Sequence, residues 1–148
     1  MDTDLKYYIL KQIILIAQKW QDKADKVVEE QLGLTVRQWM LLTILEDEFQ
    51  DHLPTLSEAA ERYGTSRQNT KRLTIELQNK GFLIIATDPV DQRILRIALT
   101  GKHREFFKDN KHNKLYEQLT FEYFENMNEI EVRNLENGIG KIYEKINY

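Results

Sequence analysis

The sequence predicts a mainly α-helical fold carrying one small β-hairpin. Three observations lead there. Apolar residues recur every three or four positions through most of the chain. Two capped helical runs meet at Gly64 with only one residue between the glycine and the next cap. After Gly81 the apolar period changes from about four to two, as in strands.

Each element has its own signal. From Leu5 to Leu32, the residues Leu5, Tyr8, Ile9, Ile13, Ile16, Trp20, Val27 and Val28 are mostly three or four apart. This spacing describes a long amphipathic helix, and Gly33 ends it where glycine accepts the left-handed conformation cheaply. Thr35 opens a second helix, TVRQWMLLTILEDEF, with Trp39, Leu42 and Leu45 on its buried side. Thr55 followed by Glu58 spells a capping box for a third helix, which Gly64 stops after barely two turns. Ser66 caps a fourth, RQNTKRLTIELQNK, closed by Gly81.

A short helix, a glycine turn and a longer helix make a helix-turn-helix. FLIIAT and ILRIAL then read as strands joined by the turn TDPVDQR, and the hairpin forms a wing. Thr100 caps a fifth helix running from about Gly101 toward Leu119, with Phe106 and Phe107 on it. The stretch TFEYFENM fits either helix or loop, and Asn128 with Glu131 caps a last helix that ends near Ile146.

Composition sets the outer bounds. The 148 residues suit one domain with a sizeable core, and 41% hydrophobic with 30% charged residues is ordinary for a folded protein. Without cysteine, disulfides, thiolate metal sites and thiol redox switches are excluded. The acidic start MDTDLKYY is unlike a signal peptide. The apolar run from Ile13 to Ala17 is far too short to span a bilayer. A cytoplasmic location is therefore expected, with no membrane partner.

The net charge of −3 is unevenly placed. Between Arg62 and Lys102, eight lysines and arginines stand against Glu76, Asp88 and Asp91. Eight less three leaves +5 there and −8 for the rest of the chain. A basic middle in an acidic protein is the asymmetry expected of a face that meets a polyanion. On the fourth helix, Thr70, Leu73, Thr74 and Leu77 share an inward face. Arg67, Gln68, Lys71, Arg72, Ile75 and Gln78 turn outward, with Asn69 at the margin. The arginine, lysine, glutamine and asparagine side chains among them are the types that grip phosphates and read purine edges in a major groove. An ordinary solvated helix surface is the competing explanation.

The wing adds an independent signal. Arg93 has the length and charge for a minor groove, and Asp91 is placed to accept from its guanidinium or from turn amides. Ser66, Arg67, Gln68, Asn69, Lys71, Arg72, Asp91 and Arg93 form the predicted DNA-binding set.

Over nearly its whole length the chain resembles the MarR family of bacterial transcription regulators. The resemblance is carried by LTVRQWMLLTIL, PTLSEAAERYGTSRQNTKRLTIELQNKGFL and DPVDQRILRIALT. Asp91, Arg93, Leu99 and Thr100 match the family's wing pattern of Asp, any residue, Arg, and a strand ending in Leu-Thr. The resemblance implies one domain over 1–148, with 1–32 and 101–148 as a helical dimerisation region and 35–100 as a winged helix-turn-helix lobe. It implies a homodimer on a palindromic operator in nucleoid DNA, acting more often as a repressor. Two departures stand out. Ile84, Ile85 and Ala86 replace the charged residues many members carry on the first wing strand, and Gly101 follows the Leu-Thr pair at once.

Members of the family often respond to small aromatic acids or other ligands, for which Tyr7, Tyr8, Trp20, Trp39 and Phe49 are candidates, chiefly Tyr8, Trp20 and Trp39. Aromatic residues at helical spacing are more commonly core. Glu105, Asp109 and His112 share a helix face at metal-ligand spacing, although three such residues are usually just solvated; neither a metal nor a cofactor is expected. The histidines His52, His103 and His112 have no paired serine or adjacent carboxylate constellation, and there is no glycine-rich phosphate loop, so an enzyme is not expected. The alternative function is a winged-helix module that no longer binds DNA and acts through protein contacts.

Overall fold

A computed structural model of the protein describes residues 2–108 and 111–147, with side chains omitted at 111–113. Seven helices and one two-stranded antiparallel sheet are found among the described residues. Packing divides the chain into two units, Met1–His112 and Asn113–Tyr148.

In the first unit, α1 (Thr3–Leu32) starts on Asp2, whose carboxylate accepts from the Asp4 amide at 2.9 Å. It ends on Gly33 at φ 65°, as the sequence predicts. Only Ala24, Val28 and Leu32 of this helix are buried, while Leu5, Tyr8, Ile9 and Ile16 are exposed. Helix α2 (Val36–Glu48) begins with a capping box between Thr35 and Gln38 and supplies Trp39, Leu41, Leu42 and Leu45 to the core. Helix α3 (Leu56–Tyr63) has the expected box, Glu58 N donating to Thr55 Oγ1 (3.1 Å) and Thr55 N to Glu58 Oε2 (2.7 Å).

Gly64 leaves α3 at φ 76°, and Ser66 caps α4 (Arg67–Asn79) by accepting from Asn69 N at 3.1 Å. Leu73 and Leu77 are buried, as are Leu41 and Leu42 of α2 and Leu56 and Ala59 of α3, the two helices α4 packs against. Thr70 and Thr74 are fully buried too, but their hydroxyls donate to the carbonyls of Ser66 and Lys71, so neither hydroxyl is stranded.

Strand β1 (Leu83–Thr87) pairs with β2 (Leu95–Leu99) in the register Leu83↔Leu99, Ile85↔Ile97 and Thr87↔Leu95. A third piece of sheet lies against β2, where Thr55 bridges Arg96 and Ile97 N donates to Pro54 O at 2.9 Å. Two residues carry no periodicity, so this edge has no sequence signature. Thr100 closes the hairpin by donating to Gly81 O at 2.6 Å and leads into α5 (Gly101–Lys108).

Where the sequence suggests one helix toward Leu119, the described helical residues are α5 and α6 (Lys111–Phe124); Asp109 and Asn110 lie outside the described residues. The ambiguous stretch TFEYFENM is helical through Phe124 and turns at Glu125 and Asn126. In the second unit, α7 (Glu129–Asn147) starts with the predicted box, Glu131 N donating to Asn128 Oδ1 (3.0 Å) and Asn128 N to Glu131 Oε2 (2.9 Å). It has no buried residue and exposes Leu135, Ile139, Tyr143 and Ile146. No helix among the described residues is long and apolar enough to cross a membrane.

Candidate nucleic-acid interface

The outward face of α4 separates into two groups. Arg67, Gln68 and Lys71 are exposed, and among the described residues their side chains have no intramolecular hydrogen bond or ion pair. They lie on the first five residues of the helix, beside the Ser66 cap, where the unpaired amides and the helix dipole favour an anion.

Asn69 and Arg72 are already engaged. Asn69 Nδ2 donates to Thr65 Oγ1 (2.9 Å), and its Oδ1 accepts from Arg72 Nη2 (2.9 Å). Arg72 Nη1 donates to Glu76 Oε1 (2.9 Å), while Glu76 Oε2 accepts from Gln38 Nε2 (2.8 Å). The chain of contacts continues through Gln38 Oε1 to Lys80 Nζ (2.9 Å), which also donates to Gly33 O (2.8 Å). This network fixes α4 on α2 and on the end of α1. Gln78 is exposed as expected, and its side chain also accepts the Ile85 amide at 2.7 Å, which ties α4 to β1.

Two aspartates build the wing tip. Asp88 Oδ1 accepts from the amides of Val90 (2.8 Å) and Asp91 (3.0 Å), and its other oxygen takes a short bond from Arg96 Nε. The Arg96 guanidinium, followed by the two amides, holds the Asp88 carboxyl down at about 2. Arg96 Nη1 donates in turn to Leu53 O (2.7 Å), so one guanidinium joins the tip to the strand piece at the wing's base.

Asp91 does what the sequence suggests. Its Oδ1 accepts from Arg93 N (3.0 Å) and Nε (3.0 Å), and its Oδ2 accepts from Nη2 (3.1 Å). The Arg93 guanidinium lowers the Asp91 pKa, and Asp91 raises that of Arg93. The Arg93 side chain nevertheless stays 91% exposed. It is aimed but not consumed, with one terminal nitrogen outside the fork. Asp88 and Arg96, absent from the predicted set, complete the wing; the Asp-Pro pair was the available signal for the tip, since Asp favours such turns.

The other candidates fall elsewhere. Tyr8 is exposed on α1, Trp20 is half-buried, and Trp39 lies in the core. A cleft of about 290 Å³ in the first unit is lined by Phe49, Pro54, His103 and Arg104 among others, and by none of those three. Glu105 is exposed, whereas Asp109 and the side chain of His112 lie outside the described residues. No cluster of three metal-binding side chains occurs among the described residues.

One expectation is corrected. His52 does have carboxylates beside it, Asp51 Oδ1 at 2.8 Å from Nδ1 and Glu58 Oε1 at 3.2 Å from Nε2, and His103 Nε2 lies 3.3 Å from Glu46 Oε2. Glu58 is six residues away in sequence and meets His52 only because the loop folds back onto the α3 cap. The same Glu58 binds the Thr55 amide, making this a clasp on a helix start.

No protein-family model matches the sequence, and no curated protein matches it. Solved structures do. The transcriptional regulator BldR from Sulfolobus solfataricus is similar with a TM-score of 0.81 and 20% identity, over 98% of this chain and 99% of its own. Sco3205, a MarR family transcriptional regulator from Streptomyces coelicolor solved in complex with DNA, gives 0.75 and 17%, over 99% and 94%. The S. aureus MepR–DNA complex gives 0.73 and 20%, over 91% and 96%. The fold of this chain is the winged helix-turn-helix fold of the MarR-family transcriptional regulators.

Proposed function

We propose that this protein is a MarR-type, sequence-specific DNA-binding transcription regulator. It acts as a homodimer on a palindromic operator in cytoplasmic, nucleoid DNA, and as a repressor. The observation that carries the reading is the pairing, in one lobe, of uncommitted Arg67, Gln68 and Lys71 on α4 with a braced, exposed Arg93 on the wing. A helix bearing free donors suits a major groove, and an extended guanidinium suits the adjoining minor groove. Two of the similar structures hold DNA, which supports the same use of these elements here. Two-fold symmetry would set the recognition helices about 34–36 Å apart, one duplex turn. No catalytic step belongs to this reading.

Relief by a small-molecule effector is part of the proposal. Tyr8 and Trp20 offer aromatic surface for it, whereas Trp39, 5% exposed, offers almost none.

A second reading, a protein-contact module without DNA binding, draws on the charges already paired. Arg62 pairs with Glu48, Arg72 with Glu76 and Arg96 with Asp88, and Lys80 and Lys102 donate to backbone carbonyls. The basic middle therefore presents less free charge than its count suggests. A gel shift on random duplex across a salt series separates the two. DNA binding predicts that affinity falls steeply and linearly on logarithmic axes as salt rises. No retention at low salt would sink the DNA-binding reading.

A further inference from the structure

Val90 stands at the wing tip with 95% of its surface exposed, more than any other large apolar residue among those described. It is not a loose side chain on a loose loop. Asp88 Oδ1 holds the Val90 and Asp91 amides, Asp88 N donates to Ile94 O (2.8 Å), and Ile94 N donates to Asp91 O (3.0 Å). Pro89 before it restricts the backbone further, and a β-branched side chain has few rotamers. The tip therefore presents a stiff apolar knob three residues from the braced guanidinium of Arg93. The Val90 side chain packs on nothing in the turn, so its whole apolar surface is open to a partner.

We propose that Val90 is a specificity-determining contact that makes the wing prefer A·T over G·C pairs in the minor groove. The inference rests on the DNA-binding reading above and deepens it. The walls of a minor groove are sugar C–H groups, which suit an isopropyl group. On the groove floor, A·T pairs show acceptors alone, while G·C pairs add the guanine 2-amino donor. Val90 has no acceptor for that donor, so insertion over G·C buries an amino group without a partner. Arg93 responds to the negative potential of the groove and Val90 to the presence of one amino group. The two side chains thus read different properties of the same step.

The test begins with duplexes selected from a random library by the wild-type protein. Steps under the wing are those whose hydroxyl-radical protection disappears with Arg93→Ala. At these steps A·T is replaced by G·C and, separately, by inosine·cytosine, which lacks the 2-amino group but keeps guanine's major-groove pattern. For wild type, G·C should weaken binding by about 5- to 20-fold, and inosine·cytosine should stay within about 2-fold of A·T. Val90→Ala should cut the G·C penalty below about 3-fold, and Val90→Asn, which restores an acceptor, should remove it. A full penalty in Val90→Ala, or inosine·cytosine as weak as G·C, overturns the role of Val90 and leaves DNA binding standing. If the wild type retains no duplex from the library, both fall together.

Discussion

Arg93 and His52 show how single side chains acquire direction from carboxylates. The fork from Asp91 holds an exposed guanidinium in one rotamer family, which lowers the ordering cost of entering a groove. Arg93→Ala should weaken operator binding by about 1–3 kcal/mol while the unfolding midpoint stays near wild type. Asp91→Ala, which frees the arginine without removing it, should cost less than Arg93→Ala. Fluorescence anisotropy on a labelled operator reads both, and wild-type affinity in Arg93→Ala would remove the wing contact. For His52, Asp51 is the larger cause of the raised pKa and Glu58 the second. A raised folded-state value means the protonated ring is favoured in the native protein. The clasp is therefore complete below the ordinary histidine value of 6.5 and is lost as pH rises through the higher folded value. A proton NMR titration should place the His52 midpoint above 6.5, with Asp51→Asn and Glu58→Gln each drawing it back. An unshifted wild-type midpoint would dissolve the clasp.

At the scale of elements, α4 divides its own surface between recognition and attachment. Gln68 and Lys71 are both free, but an amide can pair with a base edge where an ammonium acts as a point charge. Gln68→Ala should flatten base preference in a selection experiment. Lys71→Ala should lower affinity evenly across sequences and reduce the salt slope by about one. Matching profiles for the two variants would erase that division. Most of the elements were readable in the chain because caps and glycines mark their ends locally: Thr55 with Glu58, Gly64, Ser66, Gly81, and Asn128 with Glu131. What escaped was long-range. Gln78 and Arg72 sit on the helix face that periodicity assigns outward, yet β1 and the Gln38–Glu76 contact claim them. The Pro54–Thr55 edge against β2 and the Asp88–Arg96–Leu53 strut join residues up to 43 apart, and no local pattern announces such pairs.

For the whole molecule, the apolar surface left uncovered is the strongest argument about assembly. Helix α7 carries Leu135, Ile139 and Tyr143 at steps of four, continued by Ile146, all exposed, and buries nothing. The amino-terminal half of α1 likewise exposes Leu5, Tyr8, Ile9 and Ile16. An amphipathic helix with a bare apolar stripe owes its stability to some packing partner, since isolated helical propensity is weak. A second copy is the partner the DNA reading requires, and a stable interface needs more than about 1,000 Å² in total. Sedimentation should give twice the 17.7 kDa chain mass. Ile139→Glu places a charge in the α7 stripe, so it should shift the protein toward monomer while leaving first-unit helices and the wing folded. Operator affinity should then fall by about 100-fold or more, because two half-sites held by one dimer reinforce each other through effective concentration. Binding to a single half-site should change little. An Ile139→Glu protein that stays dimeric would move the interface off this stripe. A wild type that sediments as monomer while still binding a full palindrome tightly would break the link between symmetry and recognition.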